Sequence, residues 1–374
     1  MKDNRFGLYM HIPFCRSKCL YCDFPSYAHM ERWQERVIKR MKEELEETRK
    51  EIGERHPTTV YIGGGTPSIL EPALFSGLMQ AAEQCFPPAD HAEISIEMNP
   101  GTVSEAFLEA SKHAGVNRVS LGAQSMNDHL LRSLGRIHTS SDIVAAVKSL
   151  KECGFHNFNL DMMIGLPEQT LDDVRMTLDQ MISMDPTHIS CYSLIVEENT
   201  GMYELVNSGK VCLPDEGLER EMYYEAKCML ADAGYRQYEI SNFAKPGFEC
   251  RHNLDCWHRE DYLGIGVSAA SLLNNERRRN PFTVSAYLAG QSPEIIPIDA
   301  SEAQFESIML GLRLNDGIAD SDFFKRHGVH LLERFGNTIN RLVQRELLEW
   351  NGDNLRCTER GLDIQNEVLT EFMD

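Results

Sequence analysis

The apolar positions change rhythm along the chain, and each change marks an element. Phe6–Ile12 is short and apolar, as a strand would be. Residues 30–53 are rich in Glu, Lys, Arg and Met, with apolar side chains at helical spacing. β-Branched Thr58–Ile62 reads as a second strand and ends on a glycine run. The alternation continues with a helix over 71–85, a strand over Glu93–Met98, a helix over 104–114 opened by Ser104, and a strand over Arg118–Gly122. A long helix over 140–152, capped by Ser140 or Ser141, precedes a strand over Asn157–Ile164, a helix over 170–183 and a sixth strand over His188–Leu194. Six such units in a row predict an α/β fold: a parallel sheet covered by helices, either doubly wound or a full or partial barrel.

Beyond residue 195 the rhythm is lost. Residues 196–217 carry turn chemistry (ENTG, LPDEG), a helix over 218–234 ends at Gly234, and short strands and loops run to about 295. The last block is helical and then forms a hairpin around Asn351-Gly352 and Asp353-Asn354. Helices followed by a small hairpin suggest a winged-helix-like domain, which in its plainest reading is a packing appendage. The expected division is a core over 1–198, an extension over 199–299 and a C-terminal helical domain over 300–374.

Composition narrows the function classes. The 374 residues are 42% hydrophobic and 25% charged, enough for a sizeable core. No run approaches the roughly 20 apolar residues of a membrane span, and MKDNRFGLYMHIPFC lacks the build of a signal peptide, so a cytoplasmic address is expected. A net charge of −20 repels phosphate backbones and makes nucleic acid an unexpected partner. The 11 cysteines are odd in number and, one N-terminal group apart, scattered, which does not read as a disulfide framework. Cys85, Cys153, Cys191 and Cys228 are expected to be small buried hydrophobes.

The N-terminal group is Cys15, Cys19 and Cys22, in a C-x3-C-x2-C frame, with Phe24 two positions on. A structural zinc site would want four ligands, and no second pair follows at suitable spacing. A redox C-x-x-C would leave Cys15 idle. An iron–sulfur cluster uses all three thiolates and leaves one iron open to a substrate. Gly63-Gly64-Gly65-Thr66-Pro67 follows the second strand, where glycines allow close backbone approach and free N–H groups. Glu97 lies at the end of the third strand, Gln124 after the fourth and Asp161 in the fifth. Polar residues at or near successive strand ends match the placement of sites in parallel α/β barrels.

These residues resemble the radical S-adenosylmethionine (SAM) superfamily. "YMHIPFC", "GGGTP", "IEMNPGT", "RVSLGAQS", "LGRIHT", "NLDMMIGLPEQT" and "YEISNFAKPGFECRHNLDCW" narrow the resemblance to the coproporphyrinogen III dehydrogenase-like group. That group holds the oxygen-independent coproporphyrinogen III oxidase and the heme chaperone HemW. The resemblance spans nearly the whole chain and implies an incomplete (β/α)6 barrel with a C-terminal helical, winged-helix-like domain. It implies a [4Fe–4S] cluster on Cys15, Cys19 and Cys22 whose open iron binds SAM, the reduced cluster cleaving SAM to a 5′-deoxyadenosyl radical. Tyr9, Tyr21, Gly64, Gly65, Thr66, Glu97, Gln124, Arg136 and Asp161 match SAM-contacting positions. A buried salt bridge is the plain structural reading of Glu97 and Asp161.

Two features lean towards the chaperone branch. The oxidase pattern has a fourth cysteine where this chain has Phe24, and "HNLDCW" resembles the HemW signature HNxxYW, with Cys256 in place of tyrosine. By resemblance, the expected cofactors are the cluster, SAM and heme. His252 is the heme-ligand candidate, against a histidine simply hydrogen-bonded in the barrel mouth. The expected partners are heme and recipient respiratory hemoproteins, with room for peripheral contact with membrane proteins and for a dimer. Zinc on Cys250, His252, Cys256 and His258 is a further option at unfamiliar spacing.

Overall fold

The computed structural model describes residues 5–373. Among them, seven strands run parallel in the order β7-β1-β2-β3-β4-β5-β6. They are β1 (Phe6–Ile12), β2 (Thr59–Gly64), β3 (Glu93–Met98), β4 (Arg118–Gln124), β5 (Phe158–Ile164), β6 (His188–Ser193) and β7 (Asp261–Ile265). The six expected strands are present. The seventh comes from the stretch read only as short strands and loops, and it pairs with β1, Phe6 opposite Asp261. Antiparallel strands extend both edges, so the sheet is an open partial barrel.

The strands alternate strictly, as pleating requires. Phe6, Leu8, Met10 and Ile12 face the covering helices at 2% exposure or less. Gly7, Tyr9 and His11 face the barrel interior. The interior set continues with Thr59 and Tyr61, Glu93 and Glu97, and Arg118 and Ser120. The helices bury one stripe each. Val37, Ile38, Met41 and Leu45 of α1 (Gln34–Ile52) join the sheet's outer core. Each such side chain contributes roughly 1.5–3 kcal/mol by leaving water.

Local rules explain the helix bounds. Ser104 caps α2 (Glu105–His113) by accepting the Phe107 amide at 3.3 Å. The cap of α3 (Ser140–Glu152) is Thr139, correcting Ser140 or Ser141. Only from Thr139 does an acidic residue fall three positions on: Asp142 returns the bond by accepting the Thr139 amide at 2.8 Å. The expected loop over 196–217 contains a short helix, Gly201–Asn207, capped by Thr200. The helix placed at 218–234 spans Glu216–Asp232, capped by Asp215.

A separate apolar cluster from Ile308 to Phe372 forms the core of the C-terminal block. Its hairpin pairs Leu348–Asn351 with Asn354–Cys357, turning at Gly352 with φ of 65°. The contacts between this block and the barrel are strongly polar. Arg313 lies 4.4 Å over the Trp257 ring, and Arg259 bonds Glu306 at 2.8 Å. Of the scattered cysteines, Cys191 is buried, Cys85 and Cys153 are half-buried, and Cys228 is exposed, against expectation. Cys228 sits on the outer face of Glu216–Asp232, whose buried stripe is Met222, Ala226 and Leu230.

Candidate functional site

Beyond β1 the chain makes two residues of strand, Phe14–Cys15, pairing with Tyr27–Ala28, and the cysteine loop closes between them. The Cys22 amide donates to the Cys19 carbonyl at 3.2 Å, making a tight turn. Leu20 anchors the loop, its amide on the Leu134 carbonyl at 3.0 Å and its carbonyl taking the Met202 amide at 2.7 Å. All three cysteines are free and half-buried. Arg136 donates to Cys19 Sγ at 3.4 Å, and Cys15 Sγ lies 3.6 Å from the Thr66 hydroxyl. Burial pushes the Cys22 thiol up, a cost that a bound metal reverses by holding the thiolate. Among the described residues no three His, Cys, Asp or Glu side chains are grouped as ligands of one metal ion. A cluster asks for a wider set, because each thiolate binds its own iron. The soft donors, the tethered loop and the adjoining guanidinium fit such a group.

The glycine loop behaves differently from expectation. The Gly65 amide donates to the Ile12 carbonyl and the Thr66 amide to the Phe14 carbonyl, both at 2.8 Å. The Gly64 amide donates to Glu97 at 3.0 Å. These N–H groups are therefore engaged, not free. The glycines are needed for close approach: a Cβ on Gly65 would lie 2.5 Å from the Phe14 carbonyl oxygen. The loop thus locks the cysteine segment to the third strand.

Glu97 receives the Tyr61 hydroxyl at 2.9 Å as well as the Gly64 amide. Burial pushes its carboxyl up to about 7, against the opposing Tyr61 bond, with the Asp161 charge adding to the rise. Asp161 accepts Asn159 at 2.7 Å and Ser120 at 3.5 Å, and burial raises its carboxyl too. Each is held by neutral hydrogen-bond donors. Gln124 ends β4 at a register shift with φ of 68°, a left-handed conformation costly for a non-glycine residue. Its Oε1 accepts the Tyr192 hydroxyl at 3.0 Å. Arg136 also donates to the Gly122 carbonyl at 2.6 Å, while its buried Nε has no partner. Tyr21 packs in an apolar patch with Leu134 and Met202, and burial raises its phenol. Tyr9 lies in the barrel, 6.3 Å from Tyr61 ring to ring. Carboxylates, an amide and a guanidinium with an orphaned N–H fit a ligand carrying ammonium, carboxylate and hydroxyl groups.

His252 sits elsewhere. It projects from Arg251–Trp257 into the N-terminal end of the barrel, only 7% exposed. Its Nδ1 lies 3.0 Å from the Thr59 hydroxyl and its ring stacks on Tyr61 at 4.9 Å. Burial lowers its imidazole to about 4, so it is neutral. Its ring is thus packed between barrel side chains, with Nδ1 against Thr59 and one face on Tyr61. The zinc option for this segment finds no support in the side-chain positions. Cys250 turns inward to Glu93 at 3.6 Å, and no such metal group forms among the described residues.

Two histidines at the site escaped the sequence reading. His11 bridges the Tyr9 hydroxyl at 2.9 Å and the Pro25 carbonyl at 3.0 Å. The carbonyl can only accept, so Nε2 carries the proton and Nδ1 accepts from Tyr9. His138 spans Asn99 and the Ala123 carbonyl, and burial holds it near 4. The signal for His11 was its parity: it alternates with Gly7 and Tyr9 on the inner face.

The chain is similar to several known proteins. A family model described as the radical SAM superfamily matches residues 9–181, and one described as the HemN C-terminal domain matches residues 298–364. A protein named heme chaperone HemW from Bacillus subtilis is 34% identical, over 98% of this chain and 98% of its own length. The Escherichia coli protein of that name is also 34% identical over 98% of both chains. The solved coproporphyrinogen III oxidase (HemN) of Escherichia coli, a radical SAM enzyme, superposes with a TM-score of 0.86 at 22% identity, covering 99% of this chain and 90% of that one. That likeness speaks for the fold alone. With full-length identity above 30% to several relatives of one name, the chain belongs to the HemW family of the radical SAM superfamily.

Proposed function

We propose that this protein is a heme chaperone that carries a [4Fe–4S] cluster on Cys15, Cys19 and Cys22, binds SAM at the open iron, and delivers heme to recipient hemoproteins. The carrying observation is Phe24. It stands where the oxidase pattern has its fourth cysteine, and it faces solvent beside the cluster loop at 55% exposure. The name of the full-length relatives points the same way. When bound, the cluster would supply one electron to the SAM sulfonium.

In this reading the chain's own residues have distinct tasks. Arg136 offsets negative charge at Cys19. Glu97 and Asp161 receive ammonium or ribose hydroxyl groups, and Gln124 orients the ligand with Tyr192 behind it. Tyr9 and Tyr21 wall the site, while Gly64, Gly65 and Thr66 hold the cysteine segment against it. His252 braces the barrel floor. No helix among the described residues is long and apolar enough to cross a membrane, so contact with membrane hemoproteins would be peripheral.

The test is anaerobic reconstitution with iron and sulfide, followed by two assays on one sample. The expected result is about four irons per chain, hemin retained through desalting, and no conversion of coproporphyrinogen III. Turnover of coproporphyrinogen III without heme retention would move the protein to the oxidase.

A further inference from the structure

Glu93, Glu97 and Asp161 face the barrel interior, and the guanidiniums near them belong to Arg118 and Arg136. Arg136 is already engaged, with Cys19 Sγ and the Gly122 carbonyl. Arg118 is not. It is 2% exposed, its Nε has no partner, and its guanidinium makes no hydrogen bond or ion pair among the described residues. A guanidinium so deeply buried is costly unless nearby charge compensates it.

The strand register puts that charge under the two carboxylates of the site. Arg118 stands opposite Ser95, and Ser120, next on the inner face of β4, stands opposite Glu97. The Ser120 hydroxyl donates to Asp161 at 3.5 Å. A strand rises about 3.3 Å per residue, so Arg118 starts about 6.6 Å beneath Ser120, where Glu97 and Asp161 converge. Glu93 attracts the guanidinium from the other side, but its own oxygens are filled. It accepts the Arg251 amide at 3.0 Å, the His252 amide at 3.2 Å and the Ser95 hydroxyl at 3.2 Å. Glu97 and Asp161 accept from neutral groups and form no ion pair among the described residues.

The other titratable groups facing this set are uncharged near neutral pH. Tyr9 and Tyr61 lie by Glu97, and Tyr21 and Tyr192 by Asp161. Cys250, His188, His252 and Tyr238 lie around Arg118. Burial holds the tyrosines and Cys250 protonated and both histidines neutral, which leaves carboxylate and guanidinium as the charged species. Burial pushes the Glu97 and Asp161 carboxyls up, and the Arg118 charge opposes that rise at both.

We infer that Arg118 is a positioning residue of the SAM site, a positive charge shared by Glu97 and Asp161 so that both carboxylates can face a cationic ligand together. The inference rests on the reading that these carboxylates receive SAM, and it gives Arg118 no contact with the ligand. Because only a charge is required, no particular hydrogen-bond geometry is needed from the side chain that carries it.

The experiment titrates SAM calorimetrically into the anaerobically reconstituted protein and its Arg118→Met and Arg118→Lys variants at pH 7 and pH 9, with iron content and circular dichroism as checks. Arg118→Met is expected to keep its iron, to bind SAM about tenfold more weakly at pH 7 and to come within about twofold at pH 9, because losing the cation moves carboxylate ionisation to higher pH. Arg118→Lys keeps the charge and should stay within about threefold of the unaltered protein at pH 7. Undiminished binding in Arg118→Met, a loss equal at the two pH values, or a Lys variant as weak as the Met variant would overturn the inference and leave the SAM site standing. So would collapse of the fold in Arg118→Met, since an apolar side chain of similar length should replace a partnerless guanidinium without loss. Failure of the unaltered protein to bind SAM would remove the site reading, and this inference with it.

Discussion

Arg136 and Cys19 are joined by a direct hydrogen bond, guanidinium to sulfur, at 3.4 Å. The bond ties a residue that follows β4 to a loop that follows β1, and it brings one positive charge to the group of three thiols. The charge stabilises an added electron on anything those thiols hold. Arg136→Gln is therefore expected to leave iron content near normal and to lower the cluster's reduction potential by a few tens of mV. Redox titration followed by EPR checks this. An unchanged potential would mean that solvent screens the charge.

Cys15, Cys19 and Cys22 lie outside the apolar cores and are half-buried. Changing all three to Ala should abolish iron and sulfide uptake with little change in far-UV circular dichroism. Full cluster content in the triple variant would assign the iron to other residues.

Glu97 gives a pH-dependent expectation. Its folded carboxyl titrates near 7, above its ordinary value of 4.5, chiefly because of burial. The folded state therefore prefers the protonated form. That preference is fully present below about 4.5 and is lost as pH rises through 7. The Gly64 amide can only donate, so the proton sits on the oxygen facing Tyr61, whose hydroxyl can turn from donor to acceptor. Glu97→Gln mimics this state. It should raise the Tm of the ligand-free protein by roughly 2–4 °C at pH 8 and by almost nothing at pH 5. The same change should weaken SAM binding about tenfold by removing a charge-assisted bond. Calorimetry at the two pH values and SAM titration read the two effects separately.

His252 responds in the opposite sense to acid. Its folded imidazole is held near 4 by burial, below the ordinary 6.5. The neutral ring's contribution is complete above 6.5 and is lost as pH falls through 4. His252→Ala removes the stack on Tyr61 and the Thr59 contact, a destabilisation of about 2–3 kcal/mol at pH 8. The deficit should shrink below pH 6. A large shift in the Soret band of bound heme in this variant would instead make His252 an iron ligand.

Much of the barrel was legible because its signals are local. Phe6–Ile12 and Glu93–Met98 have the bounds that their apolar runs indicate. The hairpin at Gly352 was readable from turn chemistry alone. What escaped depends on distant partners. Asp261–Ile265 has five residues and weak local character, and it is a strand because β1, far back in the chain, offers an open parallel edge. The glycine loop looked like a set of free amides, yet their acceptors come from Ile12, Phe14 and Glu97, whose approach no local pattern records. Thr139 lost to its serine neighbours because the deciding residue, Asp142, stands a full turn ahead.

The inner and outer faces of the strands carry different burdens. Leu8, Met10, Ile12, Val60, Ile62, Ile96 and Met98 hold the sheet to its helices, while Tyr9, His11, Tyr61 and Glu97 sit between them in the chain and look the other way. A change at an inward position alters what the lumen recognises without opening a cavity under the helices. A change at an outward position does the reverse. Such a scaffold can exchange one cargo for another by successive single steps, each of them survivable, because the residues that keep it folded are not those that choose what it holds.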